Sequence, residues 1–230
     1  MAMSADADFG RRVEFVGLCG AGKSTFYELL KVSLLRAGLP LVERRPEAVS
    51  TSRALILCGQ FAAAMTLKGS GGVRFLLGHA NWWLPLKLGY RNAQMHQGVI
   101  ASEEWQLHVD SGLLQPIVSF AAEHNRQLNP IPLSAILPLL ALPQILIYMR
   151  AAPALALRRY LVRERDRLDA EAEQRLERQF EQAYIVCQIL VAECRKAGVL
   201  VIDVDANDSC SDAAADRVAE MLRDNVGRGA

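Results

Sequence analysis

The sequence predicts an α/β fold in which helices cover both faces of a five-stranded parallel sheet. Short β-rich runs alternate with helical patterns along the whole chain, which is typical of a parallel sheet. A glycine-rich loop joins the first run to the first helical pattern. Hydrophobic residues make up 51% of the 230 positions, and a chain of this length is expected to form one domain, residues 1–230.

The expected strands are short runs rich in β-branched and aromatic residues. In chain order they cover residues 13–16, 39–43, 104–110, 144–149 and 199–204. Residues 1–10 are expected to be a disordered lead-in.

The expected helices follow from apolar residues at helical spacing and from stop signals. Gly38 ends the first helix and Gly198 the long one, whereas Pro153 begins the helix that becomes rich in arginine. A Gly-Ser-Gly-Gly break at 69–72 separates two apolar helical stretches. The expected spans are 24–37, 49–67, 73–97, 113–124, a helix from Pro153, 170–196 and 213–225.

The uncharged stretch 131–149 is nearly long enough to span a bilayer. Pro132, Pro138 and Pro143 divide it, and proline strongly disfavours a helix interior. The interpretation is therefore a short buried helix, a break, and an internal strand in a soluble core, and no membrane span is expected.

Charge and cysteine content narrow the class of protein further. A formal net charge of +1 argues against a broad nucleic-acid-binding surface, because such surfaces carry a one-sided basic excess. The five cysteines show no metal-ligand spacing and are odd in number, which favours reduced thiols in a cytoplasmic protein. No basic segment followed by an apolar stretch opens the chain, so no secretory signal is expected.

A phosphate-binding loop is the strongest local motif. The run from Gly17 to Ser24 matches G-x-x-x-x-G-K-S at every fixed position. Glycines allow consecutive backbone N–H groups to point at phosphate oxygens, and the following helix directs its positive end at the same anion. Lys23 is expected at the β- and γ-phosphates, and the Ser24 hydroxyl on Mg²⁺. The expected binding set is Gly17, Gly20, Ala21, Gly22, Lys23, Ser24 and Thr25.

Beyond this loop the chain resembles the thymidylate kinase and deoxynucleoside kinase group of P-loop kinases, over most of its length and in the same order. The segment Pro-Ala-Leu-Ala-Leu-Arg-Arg-Tyr-Leu-Val-Arg-Glu-Arg-Asp-Arg, residues 153–167, is similar to the lid of those kinases. The resemblance implies a P-loop NTPase fold with an arginine-bearing lid at 153–170. It places Arg159, Arg163, Arg165 and Arg167 over the triphosphate. An exposed, salt-bridged helix is the alternative, because acidic residues interleave with these arginines.

The residues after the second expected strand are candidates for the acceptor site. In related deoxynucleoside kinases a glutamate of an E-P motif at this place accepts the proton of the acceptor hydroxyl. The present chain has Glu-Arg-Arg-Pro-Glu from Glu43 to Glu47, which matches neither that motif nor the R-E-P-G-G run of thymidylate kinases. Glu43 is the first candidate for the base and Glu47 the rival, with Arg44 or Arg45 as a clamp. A carboxylate that only stabilises a helix N-terminus is the alternative.

Asp110 ends the third expected strand, and a carboxylate there is suited to Mg²⁺ or its water shell. Related kinases carry D-R-Y or E-R-S at this place, so Asp110 matches their acidic residue. Ser111 stands where their arginine would be, which points to a different acceptor. A helix cap is the alternative role for Asp110.

These features together predict an ATP- and Mg²⁺-dependent kinase that transfers the γ-phosphoryl group to a small-molecule acceptor. Segment 49–97 is expected to line the acceptor pocket. Glu43 and Asp110 favour a hydroxyl acceptor, whereas Arg44, Arg45 and Arg91 leave a nucleoside monophosphate possible. A nucleotide-dependent switch and an assembly factor without transfer activity are the alternatives, and a homodimer is possible.

Overall fold

The computed structural model of the chain describes residues 11–42, 51–67, 83–97, 105–109, 112–123, 133–164, 169–206 and 211–226. Eight α-helices and one 3₁₀ turn lie within these ranges. They are α1 Lys23–Arg36, α2 Thr51–Leu67, α3 Trp83–Gln97, α4 Gln115–Glu123, α5 Leu133–Ile136, the 3₁₀ turn Leu137–Leu139, α6 Pro153–Glu164, α7 Ala170–Lys196 and α8 Asp212–Val226.

The strands form one parallel sheet in the order β2-β3-β1-β4-β5. Their bounds are β1 Arg11–Gly17, β2 Leu41–Val42, β3 Trp105–His108, β4 Ile145–Arg150 and β5 Leu200–Asp205. The predicted α/β fold with a parallel sheet is confirmed. β2 has only two residues, so four longer strands carry most of the sheet and the second strand is much shorter than predicted.

Helices pack on both faces of the sheet. On one face Phe15 of β1 makes edge contacts with the rings of Phe26 and Tyr27 in α1, and α8 packs beside α1. Ser33 of α1 donates a hydrogen bond to Asp216 of α8 at 2.6 Å. α4 and α7 pack together and contact β1 from the opposite face, as expected for strand side chains that alternate between the two faces.

β1 is the central strand and carries the start of the candidate loop. It pairs with β3 on one side and β4 on the other, and six of its seven residues are buried. Because parallel strands all end at the same edge of a sheet, the end of β1 lies at the middle of the edge where ligands usually bind.

The uncharged stretch that raised the question of a membrane span forms α5, the 3₁₀ turn and β4. The expected succession of short helix, break and internal strand is confirmed, with the strand beginning one residue later than predicted. Within the described ranges, no helix is both long enough and apolar enough to cross a membrane.

Candidate functional site

The predicted phosphate loop is a tight turn between β1 and α1. The amide of Ala21 donates to the carbonyl oxygen of Leu18 at 3.1 Å, which closes the turn. Gly20 has φ +77°, and Gly22, the residue that precedes α1, has φ +87°. These left-handed conformations are costly for residues with a Cβ atom, so glycine is required at both positions.

Lys23 is the first residue of α1, and its side chain turns back across the loop. The ammonium donates hydrogen bonds to the carbonyl oxygens of Gly17 and Leu18, both at 3.0 Å, and the residue is 8% exposed. Ser24 and Thr25 follow in the first turn of the helix and are exposed. The loop therefore holds a positive charge beside a helix N-terminus, where amides of the first turn have no partner within the helix.

The loop is fixed by close packing against α6 and β4. A Cβ atom built on Gly20 would lie 2.2 Å from the carbonyl oxygen of Ala156 in α6. A Cβ on Gly17 would lie 2.7 Å from the carbonyl oxygen of Met149 in β4. The arginine-bearing helix α6 is thus a direct neighbour of the phosphate loop.

The two lid arginines that the structure describes have different surroundings. Arg159 donates from Nη1 to the carbonyl oxygen of Ala206 at 2.9 Å, so it ties α6 to the residue after β5. Arg163 is exposed; its guanidinium pairs with Glu164 at 2.9 Å and lies 5.5 Å from the centre of the Tyr160 ring. The alternative interpretation of a salt-bridged helix thus accounts for Arg163 in this structure, but not for Arg159.

Seven candidate site residues lie outside the described ranges: Glu43, Arg44, Arg45, Glu47, Asp110, Arg165 and Arg167. Arg91, in α3, is described and is partly exposed. Burial lowers the pKa of Lys87 and of His108, and the Arg91 charge adds to both shifts. The helix that carries Arg91 packs against α2 and α4.

Buried charges in β1 were missed by sequence reasoning. Glu14 is 0% exposed, and its Oε2 accepts hydrogen bonds from the amides of Leu113 at 2.8 Å and Leu114 at 3.1 Å. Arg12 lies beside it, with Nε 3.8 Å from Glu14 Oε1, and donates to the carbonyl oxygen of Ala141. Burial raises the pKa of the Glu14 carboxyl, while the Arg12 charge and the two amides oppose that shift.

A second missed residue, Gln115, contacts the phosphate loop directly. Its side-chain oxygen accepts a hydrogen bond from the amide of Gly17 at 3.2 Å. The side chain is buried at the first position of α4. A lone glutamine at the start of an apolar helix gives no sequence signal of such a contact.

The described residues include only part of the predicted Mg²⁺ site. They contain no cluster of three or more histidine, cysteine or acidic side chains able to hold a metal ion. The exposed Ser24 hydroxyl is the one predicted protein ligand within them. This fits an ion bound mainly through phosphate oxygens and water, which is the usual mode for Mg²⁺ at nucleotides.

No protein-family model matches the chain, and no curated protein matches it. Solved structures of deoxyadenosine kinase from M. mycoides are similar to it over 93% of this chain and 99% of theirs. The structure with bound dATP has 16% identity and a TM-score of 0.47, and the structure with bound dCTP has 15% and 0.49. A third, with the products dCMP and a flexible dCDP bound, has 17% and 0.49. Similarity at this level carries no conclusion about activity, and membership of the deoxynucleoside kinase group stays a prediction.

Proposed function

We propose that this protein is a small-molecule kinase that binds ATP with Mg²⁺ and transfers the γ-phosphoryl group to an acceptor hydroxyl. The geometry of the loop from Gly17 to Thr25 is the observation that supports the proposal. Two glycines at positive φ, a helix N-terminus and the Lys23 ammonium are brought together at the end of the central strand. Together these features are typical of an anion-binding site, and we propose that the anion is a triphosphate.

Lys23 is the residue that would meet the transferred phosphoryl group. Its ammonium is held by two carbonyl oxygens of the loop, and these are neutral acceptors that phosphate oxygens can replace with charge-assisted bonds. Phosphoryl transfer depends mainly on positioning and on stabilising negative charge. A lysine fixed in place before the nucleotide arrives serves both purposes.

Ser24 would contribute a ligand to Mg²⁺, and Asp110 is proposed as the second residue that holds the ion or its water shell. When bound, Mg²⁺ neutralises charge on the β- and γ-phosphate oxygens. Ser24 and Asp110 would fix the position of the ion.

The lid arginines would complete the enclosure of the triphosphate. α6 already contacts the loop at Gly20, and we propose that Arg159 and Arg163 turn towards bound phosphates by changes of side-chain conformation. Arg159 would exchange the carbonyl oxygen of Ala206 for a phosphate oxygen. Arg165 and Arg167 are proposed to act with them. Closing such a lid excludes water and stabilises charge during transfer.

On the acceptor side we propose Glu43 as the base that takes the hydroxyl proton, with Arg44, Arg45 and Arg91 as residues that orient the acceptor. A carboxylate within reach of a hydroxyl raises its nucleophilicity as the phosphoryl group transfers. The partly exposed Arg91 of α3 is the observation that keeps a nucleoside monophosphate as the alternative acceptor, because arginine suits phosphate oxygens.

The decisive experiment is transfer from labelled ATP to a panel of nucleosides, nucleoside monophosphates and sugars, with and without Mg²⁺. We expect label on a hydroxyl acceptor, and none with Lys23→Ala. Lys196→Ala is the matched control, because Lys196 is exposed and pairs with Glu193 of the same helix. Wild-type turnover in Lys23→Ala would contradict the site. Binding of ATP without transfer to any acceptor would instead favour a nucleotide-dependent switch.

A further inference from the structure

Two buried side chains link the strand that leads into the phosphate loop with the start of α4. From β1, Glu14 accepts hydrogen bonds from the amides of Leu113 and Leu114, just before α4. From α4, Gln115 accepts a hydrogen bond from the amide of Gly17, the first residue of the loop. Glu14 and Gln115 are called the β1–α4 clamp below.

The hydrogen bonds of the clamp are reciprocal. Each side chain accepts backbone donors of the segment that carries the other, and the partners are 98 to 100 residues apart in the sequence. Both side chains are buried, where hydrogen bonds hold their geometry more strictly than at the surface. A Cβ atom on Gly112 would lie 2.6 Å from Glu14 Oε2, so the two segments are already as close as the chain allows.

The position of Glu14 also suits the chemistry of a helix start. The first amides of a helix have no partner within it, so an acceptor from elsewhere in the chain stabilises a helix start. Glu14 places a carboxyl oxygen at the start of α4 from a neighbouring strand. The start of α4 is thereby tied to β1, and Gln115 at the first position of α4 has a fixed place.

Gly17 links the clamp to the candidate catalytic lysine. Its amide is held by Gln115, and its carbonyl oxygen accepts from the Lys23 ammonium at 3.0 Å. On its other side it packs closely against Met149 of β4. A displacement of Gly17 therefore displaces one of the two oxygens that locate the Lys23 charge.

We propose that Glu14 and Gln115 are positioning residues of the phosphate loop. They fix Gly17, and through it the loop backbone and Lys23, in the geometry that binds the triphosphate. This inference rests on the proposed function for its consequence in nucleotide binding, but the clamp itself is a property of the protein without nucleotide. The role of the clamp and the binding of nucleotide are tested together, by measurements that distinguish the two.

The first experiment compares Gln115→Ala with Gln188→Ala. The control removes a glutamine of α7 that donates to the hydroxyl of Tyr148 at 2.8 Å, so it also loses one long-range hydrogen bond. We expect Gln115→Ala to raise the Kd for Mg-ATP roughly tenfold, since small misplacements of charged groups are costly. Gln188→Ala should raise it less than about twofold by the same reasoning, since no loop atom moves. The measurements are titration calorimetry and, for stability, the thermal midpoint.

Hydrogen exchange of the amides at 17–22 in the absence of nucleotide is the second readout. Exchange should accelerate in Gln115→Ala and not in Gln188→Ala, because local opening governs the rate. If both variants behave alike in exchange and in ATP affinity, the clamp has no positioning role. If exchange responds as expected but the wild-type chain does not bind ATP, the positioning role of the clamp is supported and the proposed function is wrong.

The Glu14 side tests the same idea with a conservative variant. Glu14→Gln keeps a carbonyl oxygen that can accept from Leu113 and Leu114, whereas Glu14→Leu keeps the bulk and removes the acceptor. We expect Glu14→Gln to bind ATP within about threefold of wild type and Glu14→Leu to lose most of its affinity, since unsatisfied buried amides disrupt local structure. Equal affinity of the two variants contradicts the proposal. If Glu14→Leu does not fold, the Gln115→Ala comparison decides.

Discussion

Gly20 and Gly38 show how the same backbone conformation has different meanings at two residues. Both have positive φ, +77° and +68°. A Cβ on Gly20 would lie 2.2 Å from a backbone oxygen of α6, whereas a Cβ on Gly38 meets nothing within 4 Å. The left-handed conformation alone costs a residue with a side chain about 1–2 kcal/mol. At Gly20, but not at Gly38, a side chain would also clash with another element.

We therefore expect Gly38→Ala to lower the free energy of unfolding by about 1 kcal/mol and to leave ATP affinity unchanged. Gly20→Ala should lower stability further and weaken ATP binding, because the loop or α6 must move. Urea unfolding and calorimetry measure the two effects. Equal losses of stability with unchanged affinity in both variants would show that the loop does not depend on its contact with α6.

Cysteine reactivity is a second prediction at the residue scale. Cys19 is exposed in the phosphate loop, whereas Cys187 and Cys194 are buried, and burial raises the pKa of both thiols to about 12. A raised pKa keeps them protonated at pH 8, and the thiolate is the reactive form. Iodoacetamide should alkylate Cys19 before Cys187 and Cys194, and ATP should slow the reaction at Cys19.

Peptide mapping by mass spectrometry distinguishes these sites. Labelling of Cys187 as fast as Cys19 in the folded protein would contradict the buried environment. Labelling of Cys19 at the same rate with and without saturating ATP would place the nucleotide elsewhere.

At the scale of elements, α7 was the most predictable part of the chain, and its bounds of 170–196 are confirmed. Asp169 accepts a hydrogen bond from the amide of Ala172 at 2.8 Å, Glu171 and Glu173 lie in the first turn, and Arg195 and Lys196 lie in the last. Each of these local preferences agrees with the helix dipole. Gly198 has φ +85° after the end of the helix, as the sequence predicted.

We expect Asp169→Ala to lower the free energy of unfolding by about 1 kcal/mol, because a helix amide loses its cap. Asp169→Asn keeps a capping oxygen and should stay within a few tenths of a kcal/mol of wild type. Chemical denaturation measures both. A loss in Asp169→Asn as large as in Asp169→Ala would assign the effect to charge instead of capping.

At the scale of the whole molecule, nucleotide binding should stabilise the fold. A ligand that binds only the folded state at 100 times its Kd adds about 2.7 kcal/mol. We expect a rise of the thermal midpoint with Mg-ATP in wild type and in Lys196→Ala, and none in Lys23→Ala. A shift of the same size in Lys23→Ala would place the nucleotide away from the loop. Homodimerisation, the cytoplasmic location and the exclusion of nucleic acid stay predictions.

The sequence determined the features that depend on neighbouring residues. The phosphate loop is encoded in eight consecutive positions, because its glycines, its lysine and the helix that follows act over a few ångströms of the same chain. The alternation of strands and helices, and the ends of α7, are local in the same way. The acceptor residues from Glu43 to Arg45 and Asp110 were proposed from position and resemblance, and they stay predictions.

Only the tertiary structure decided which distant residues support the loop. Arg12 and Glu14 look like solvent-exposed charges in a strand, and Gln115 looks like an ordinary helix residue, yet all three are buried in the sheet and its covering helices. The bonds of Glu14 and Gln115 join segments about a hundred residues apart. Their partners are backbone amides, which every residue type except proline supplies. For that physical reason no pattern of side chains along the sequence predicts these contacts.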